Sequence, residues 1–371
     1  MSGDVSAASI SLRTARRSPL LEAELQPLRQ YLEQDDVSEI SINRPGELFI
    51  ERLGHDHMEH ISSPELNSAW IGKLAERVAG STDQRVNTQQ PILSAALPSG
   101  ERFQCILPPA APEGGAISIR KQVIKDISLA GYKDAGAFAN TKMGRALTLS
   151  DTEQELIGLL NGEPLEFLKV AVRNRISIVV SGGTSTGKTT FLNALLKEIP
   201  TSERIITIED TRELKPVTPN TLALLASKGD QGTADVNAQS LLEAALRMRP
   251  DRLLLGELRG AEAFAFLQAI NTGHPGSLTT VHANSAHSAY ERLALMVMQG
   301  GVQLRKAEII DYLKEVIPIV VQLARGQGGK RIVTEIHYSK ADFKNDQNAN
   351  LNRDAQPNSK ATATTSRSGT N

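Results

Sequence analysis

The feature that most limits how this chain can fold is the segment GGTSTGKT at residues 182–189. It follows the short apolar run ISIVVS, and the next residues, TTFLNALLKEI, place their large apolar side chains at helical spacing. The segment fits the pattern G-x-x-x-x-G-K-[ST] at every position, and between a strand and a helix this pattern is typical of a phosphate-binding loop, or P-loop. The alternative is a glycine-rich turn that binds nothing, and the strand, loop and helix order disfavours it.

A P-loop binds phosphate because the free backbone N–H groups and the dipole at a helix N-terminus attract an anion. Lys188 is predicted to reach the β and γ phosphates, and the Thr189 hydroxyl is predicted to help bind Mg²⁺. The predicted nucleotide-binding residues of this segment are Gly182, Gly183, Thr184, Ser185, Thr186, Gly187, Lys188, Thr189 and Thr190.

Two downstream segments place acidic residues where predicted strands end. The run RIITIE ends at Glu209, which Asp210 follows, and the run RLLLGE ends at Glu257. If these strands lie parallel to the P-loop strand, their carboxyl ends meet at the edge where α/β folds bind ligands. Glu257 then has the position of a Walker B acid, although Gly256 replaces the usual magnesium-linked Asp.

This departure leaves open whether Glu209 or Glu257 is the catalytic base. Glu257 and Asp210 are predicted to hold Mg²⁺ through water, and the alternative is that these acids are solvated strand ends. His282 ends another predicted strand, SLTTVH, and is interpreted as a catalytic residue that senses the γ-phosphate. His287 is interpreted as a surface residue.

The chain divides into two blocks that differ in their pattern of apolar residues. The second block alternates short apolar runs with helical stretches, which predicts an α/β fold with a parallel central sheet and helices on both faces. The first block predicts a smaller α+β domain. The predicted organisation is a disordered arm over 1–18, an N-terminal α+β domain over 19–130, a linker over 131–150, a P-loop domain over 151–339 and a disordered tail over 340–371.

Several elements of the first block are predicted from local patterns. Apolar residues at helical spacing predict a helix that ends near Leu32, and the runs VSEISIN and ELFIER predict two strands around a turn. A second helix is predicted to begin at Pro64, because Ser62 and Glu65 have the spacing of a capping box. Further strands are predicted over 103–107 and 116–120.

Composition excludes several classes of protein. Lysine and arginine total 41 against 42 aspartates and glutamates, so the net charge of −1 gives no sign of direct nucleic-acid binding. Cys105 is the single cysteine, which excludes an intramolecular disulfide and fits a reducing compartment, the cytoplasm. The sequence has no run of about 18 apolar residues, so no membrane span is predicted.

With these segments established, the chain resembles the secretion traffic ATPases, and most closely the type IV secretion system ATPases. The resemblance extends from about residue 20 to about residue 340. Residues 209–213 resemble the family's Asp box, 253–257 its Walker B segment and 273–284 its His box. The segments RMRPDRLLLGELRG and SEISINRPGELFIE are also similar to segments of that family.

The resemblance implies a hexameric ring of RecA-like domains that hydrolyses ATP with Mg²⁺ and holds the nucleotide between the two domains of a subunit. It implies docking to inner-membrane secretion-system proteins at the cytoplasmic face, with DNA or protein cargo handled indirectly. The family uses two arginines of the N-terminal domain on the nucleotide phosphates, and the matching positions are Arg102 and Arg120.

Two other functions are compatible with the sequence. A type II secretion or type IV pilus motor belongs to the same superfamily, but such motors usually carry a different N-terminal domain and often a CxxC pair, which a chain with one cysteine lacks. A nucleotide-gated binding switch with slow hydrolysis is the alternative from another class. A strand-exchange protein or helicase is disfavoured, because neither charge nor an aromatic, basic groove indicates nucleic acid.

Overall fold

The computed structural model describes residues 12–123, 127–139, 141, 149–227 and 234–341. These residues form a six-stranded sheet in the first part of the chain and a seven-stranded sheet in the second. None of the helices formed by the described residues is both long and apolar enough to cross a membrane.

The first sheet is antiparallel, with two helices packed against each other beside it. Its elements are α1 (Pro19–Leu32), β1 (Val37–Ile42), β2 (Glu47–Arg52), β3 (Glu59–Ser62), α2 (Ser68–Ser81), β4 (Ile92–Ala96), β5 (Arg102–Ile106) and β6 (Ala116–Arg120). The strand order is β3-β2-β1-β6-β5-β4. The predicted first helix and the predicted strands of this block are therefore confirmed.

The predicted start of the second helix is wrong. Helix α2 begins at Ser68, because the side chain of Asn67 accepts the N–H of Trp70 at 3.0 Å and caps the helix there. Ser62 instead ends strand β3, and the partner of Glu65 is the hydroxyl of Ser63 at 2.7 Å. Ser62, which the sequence pattern assigned to a helix cap, therefore pairs with strand β2 instead.

The predicted disorder of the N-terminal arm is wrong for residues 12–18, while residues 1–11 lie outside the described residues. Ala15 is buried and donates its N–H to the carbonyl of Ala96 at 2.7 Å. Ala96 in turn donates to the carbonyl of Arg13 at 2.9 Å. Ser18 caps α1 by accepting the N–H of Leu21. Hydrogen bonds to strand β4 therefore order this segment. Composition alone does not reveal such bonds.

Helix α3 (Leu129–Asp134) overlaps the start of the predicted linker. The second sheet and its helices follow the linker as α4 (Asp151–Leu159), α5 (Pro164–Arg173), β7 (Ile178–Gly182), α6 (Lys188–Leu196), β8 (Ile205–Glu209), β9 (Thr221–Leu225), α7 (Ala238–Ala245), β10 (Arg252–Leu255), α8 (Glu262–Asn271), β11 (Leu278–Val281), α9 (Ala286–Gln299), α10 (Lys306–Val316), β12 (Ile319–Arg325) and β13 (Arg331–Tyr338). The strand order is β13-β12-β7-β11-β10-β8-β9, and only the pairing of β13 with β12 is antiparallel.

Helices cover both faces of this sheet, as the sequence predicts. Alternate residues of each strand face opposite sides: Ile178 and Val180 pack with buried residues of α4, α5 and α6, whereas Val179 packs with α7, α8, α9 and α10. The α/β class with a parallel central sheet is therefore confirmed.

The two sheets are in direct contact. Ala110 and Ala111, which follow β5, belong to the same buried cluster as Leu222 and Leu224 of β9. The carbonyl of Ala110 also accepts the N–H of Leu225 at 2.8 Å. Residues 140 and 142–148 of the predicted linker and residues 342–371 of the predicted tail lie outside the described residues.

Candidate functional site

The P-loop joins β7 to α6 with a backbone that requires glycine at two positions. Gly187 has φ +89°, a left-handed conformation, and a Cβ there would lie 2.5 Å from Cδ of Arg331. A Cβ on Gly182 would lie 2.5 Å from Oγ1 of Thr186 and 2.9 Å from the carbonyl oxygen of Leu323. At Gly183 the nearest atom would be 3.9 Å away, so packing does not require glycine at that position.

Lys188 is buried at the start of α6, and its ammonium group lies over the loop. Its Nζ donates to the carbonyls of Gly182 at 3.0 Å and Gly183 at 3.1 Å, and it lies 3.4 Å from the ring nitrogens of His282. Burial lowers the pKa of Lys188, and the charge of Glu257 opposes this shift. A cation is thus held where a P-loop binds phosphate.

Side chains from three strand ends form a connected polar row beside this lysine. Oε1 of Glu257 lies 3.1 Å from Nε2 of His282, and Oε2 of Glu257 accepts from Arg259 at 2.9 Å. Arg259 also donates to Asp210 at 2.6 Å. Burial and the charge of Lys188 lower the pKa of His282, although Glu257 opposes them, so the neutral imidazole is favoured.

Glu209 has a different environment from Glu257. Its Oε1 accepts the backbone N–H groups of Glu213 and Leu214, both at 2.8 Å, and its pKa is raised mainly by burial. A Cβ on Gly256 would lie only 3.3 Å from Cγ of Glu209. Gly256, directly after β10, therefore leaves room for the Glu209 side chain, because a larger residue there would require Glu209 to shift by a few tenths of an ångström.

These residues line one cavity of about 480 Å³ at the carboxyl edge of the sheet. The structure brings together the predicted residues Thr184, Ser185, Thr186, Gly187, Lys188, Thr189, Thr190, Glu209, Asp210, Glu257 and His282. The parallel strand order predicted this convergence. Gly182 and Gly183 do not line the cavity, and their carbonyls accept from Lys188 instead.

Two arginines of this cavity are absent from the predicted site. Arg259 follows Glu257 by two residues, and this closeness in sequence could have indicated that it lines the same cavity. Arg331 begins β13, far downstream of every motif, and no local pattern marks it.

Arg102 and Arg120 lie elsewhere in the same chain. They are directly paired on β5 and β6 and line a second cavity of about 530 Å³ together with Arg249, Glu39 and Glu51. All described residues that line the P-loop cavity come from the second part of the chain. One chain therefore does not bring these arginines to its own P-loop, and their contact with phosphate stays a prediction.

The oxygen-bearing side chains of the P-loop cavity suit a magnesium ion that is bound together with phosphate. Across the described residues, no group of three or more His, Cys, Asp or Glu side chains is arranged to hold a metal ion. Thr189, Asp210 and Glu257 nevertheless line the same cavity. Mg²⁺ is usually bound by a few protein oxygens together with water and substrate phosphates, which suits this set.

Two further histidines of the second part of the chain, His274 and His287, do not line the cavity. His274 Nδ1 lies 2.8 Å from the carbonyl of Pro250, and burial lowers the pKa of this side chain. The side chain of His287 is 84% exposed and lies 3.9 Å from Glu291, in agreement with its interpretation as a surface residue.

The parallel sheet, the P-loop at the end of β7 and the acids on neighbouring strands define a P-loop nucleotide-binding protein with a RecA-like core. The chain belongs to the Type II/IV secretion system protein family, whose model matches residues 22–348.

Curated relatives and a solved structure agree with this assignment. The chain is 40% identical to the type IV secretion system protein VirB11 of Bartonella quintana over 328 residues, 85% of this chain and 91% of that protein. It is 40% identical to the type IV secretion system protein PtlH of Bordetella pertussis over 334 residues, 87% and 96% of the two chains. The crystal structure of the VirB11 ATPase from Brucella suis, in complex with sulphate, superposes with a TM-score of 0.80 at 38% identity, covering 88% and 97% of the two chains.

Proposed function

We propose that this chain is an ATP-hydrolysing motor subunit of a type IV secretion system. The observation that carries the proposal is the row of Lys188, His282 and Glu257 beside an intact P-loop in one cavity. The similarity to VirB11 and PtlH, and to a VirB11 ATPase structure, supports ATP as the nucleotide and type IV secretion as the process.

In this proposal, Lys188 neutralises the β and γ phosphates, and the loop amides before α6 bind their oxygens. The Thr189 hydroxyl and, through water, the carboxylates of Asp210 and Glu257 would hold Mg²⁺. Mg²⁺ supplies further neutralisation of phosphate charge when it is bound. His282, in its neutral form, reports the presence of the γ-phosphate to Glu257 through their 3.1 Å contact.

We assign the catalytic base to Glu257 and a positioning role to Glu209. One oxygen of Glu209 is occupied by two backbone N–H groups, so this carboxylate fixes the turn at Glu213 and Leu214. Within the described residues, the ion pairs of Glu257 are with side chains that can rearrange, Arg259 and His282. A carboxylate that can turn toward water is the better acceptor of its proton.

We further propose that the subunits form a hexameric ring at the cytoplasmic face of the inner membrane, where they act with membrane proteins of the system. Arg102 and Arg120 line a cavity away from the P-loop of their own chain. They therefore reach phosphate in this proposal only on the P-loop of another copy. Mixing Lys188→Ala chains with Arg120→Ala chains tests this, since hydrolysis recovers in mixed rings only if the arginine acts between copies.

Steady-state ATP hydrolysis and nucleotide binding test the central proposal. Lys188→Ala should abolish hydrolysis with an unchanged circular dichroism spectrum, because it removes the loop's side-chain cation. Lys197→Ala is the matched control, since Lys197 is exposed at the other end of α6. Normal hydrolysis by Lys188→Ala would contradict the proposal.

The same assay separates the motor from the alternatives. A motor hydrolyses ATP repeatedly and should sediment as a hexamer with Mg²⁺ and ATP. A monomer with a single slow turnover, unchanged by inner-membrane vesicles that carry the secretion apparatus, would favour a nucleotide-gated switch. Restored type IV export in a strain that lacks its own ATPase gene would exclude a type II or pilus motor.

A further inference from the structure

The order of strands gives the P-loop cavity two different sides. Strand β7, which leads into the P-loop, lies between β11 and β12. His282 and Glu257 follow β11 and β10 on one side, and Arg331 begins β13 on the other side. The γ-phosphate must lie near the acids for hydrolysis, so the nucleoside of a bound nucleotide extends toward the side of Arg331.

Arg331 is placed on this side by packing against the loop. Its Cδ occupies the space where a Cβ of Gly187 would lie, with a separation of only 2.5 Å, and its Nε is 3.1 Å from the same point. The absence of a side chain at Gly187 therefore leaves the space in which the Arg331 side chain packs. Arg331 is an exposed residue and lines the cavity.

The two arginines of the cavity differ in their partners. Arg259 is held by Asp210 and Glu257. By contrast, within the described part of the chain, the side chain of Arg331 makes no ion pair or hydrogen bond. A guanidinium without a carboxylate keeps its flat faces available, and arginine stacks on aromatic rings in this way.

The cavity offers a base little else to stack on. None of its described lining residues is Phe, Tyr or Trp, and the ring of His282 lies beside Glu257 on the hydrolytic side. We propose that Arg331 stacks on the purine base of the bound nucleotide and thereby makes the site selective for a nucleotide over a base-free polyphosphate. This inference rests on the proposed function and names a specificity residue for it.

Binding of two ligands to three variants tests this assignment. MgATP carries a base, whereas magnesium tripolyphosphate presents the phosphate chain alone. Arg331→Ala should weaken MgATP binding about tenfold while leaving tripolyphosphate binding within about twofold of the wild-type value. In hydrolysis the effect should fall on KM far more than on kcat.

Two replacements separate stacking from charge. Arg331→Tyr should retain MgATP affinity because it keeps a flat face, and Arg331→Lys should lose it although it keeps the charge. Arg325→Ala is the matched control, because Arg325 pairs directly with Arg331 across the β12–β13 hairpin but does not line the cavity.

The outcomes that overturn the assignment differ from failure of the proposed function. Equal weakening of MgATP and tripolyphosphate by Arg331→Ala would show a phosphate contact, and unchanged binding of both would show no contact. Retention by Arg331→Lys with loss by Arg331→Tyr would also overturn it. The proposed function fails instead if the wild-type chain neither binds nor hydrolyses MgATP.

Discussion

The two edges of the seven-stranded sheet both carry charged side chains, but they use them in opposite ways. At the carboxyl edge, Lys188 and Glu257 line an open cavity. At the amino edge, Arg204 and Arg252 are completely buried. Strands β8 and β10 connect the two edges: Arg204 directly precedes β8, which ends at Glu209, and Arg252 is the first residue of β10, which Glu257 follows.

The two buried arginines are also satisfied differently. Arg252 forms a two-point ion pair with Glu203, with Nε to Oε2 at 2.5 Å and Nη2 to Oε1 at 2.9 Å. Arg204 instead donates Nη1 to the amide oxygens of Asn43 and Asn220, both at 2.6 Å. Burial lowers the pKa of Arg204 to about 10.

Asn43 belongs to the first sheet, so this arrangement joins the two sheets through a buried cation. A charged side chain at a strand end therefore has no fixed role. Where the neighbours close over it, the charge must be paired or hydrogen-bonded and serves stability, and where a cavity remains it serves ligand binding.

Glu257→Gln is expected to have the largest effect, a loss of hydrolysis without a loss of stability. The amide keeps the shape of the side chain but accepts no proton, so hydrolysis should fall by at least about 10³-fold, or about 4 kcal/mol in the barrier. MgATP binding and the urea midpoint should stay unchanged. Glu243→Gln, on the exposed side of α7, is the control. Normal turnover of Glu257→Gln would transfer the role of base to Glu209.

Glu203→Ala should give the opposite result at the other edge. It leaves Arg252 buried without its carboxylate, so the free energy of unfolding should fall by about 3 kcal/mol while activity per folded molecule persists. Urea denaturation measures the loss. The double variant with Glu203→Leu and Arg252→Met should recover much of it, since apolar side chains replace the pair. A stable Glu203→Ala chain would disprove the structural role of the pair.

Asn43→Ala tests the junction of the two sheets. It removes one of the two amide acceptors of Arg204, and the free energy of unfolding should fall by about 1 to 2 kcal/mol. Asn43→Asp keeps the acceptor and adds a countercharge, so it should lose less than Asn43→Ala in the same denaturation series. If Asn43→Asp is the less stable of the two, the buried cation does not govern this junction.

Protonation of Glu39 should give an effect that is spread over a pH range rather than seen at one pH. Burial is the main cause that raises the pKa of this carboxyl from 4.5 to about 7, and Arg204 opposes it. Between these pH values the folded chain binds more protons than the unfolded chain, so its stability falls as pH rises, by about 1 kcal/mol per pH unit. Thermal melts of wild type and Glu39→Gln should therefore diverge from pH 4.5 to 7, and parallel curves would contradict this.

Much of the carboxyl edge follows from sequence alone. Short apolar runs that end in Glu209, Glu257 and His282 predict parallel strands, and parallel strands bring their last residues together. The P-loop pattern adds the position of the phosphate. The α/β class and the converging acids were therefore predictable from local patterns.

The amino edge and one side of the cavity were not predictable in this way. Nothing in the runs RIITIE and RLLLGE distinguishes a buried arginine from an exposed one, because their partners Asn43 and Glu203 are identified only by the packing of the two sheets. Arg331 reaches the cavity because β13 folds back antiparallel to β12, which is a long-range pairing. A further long-range pairing, that of β3 with β2, places Ser62 in a strand, so that Asn67 caps α2.

The pairing of residues 13–15 with Ala96 has a consequence for solubility. Strand β4 is an outer strand of the first sheet, and its free N–H and C=O groups are a template on which strands of other molecules can add. The short N-terminal segment occupies part of that template. Trimming the chain to the start of α1 would uncover it, so shortened forms would be expected to aggregate even though their folded cores remain intact.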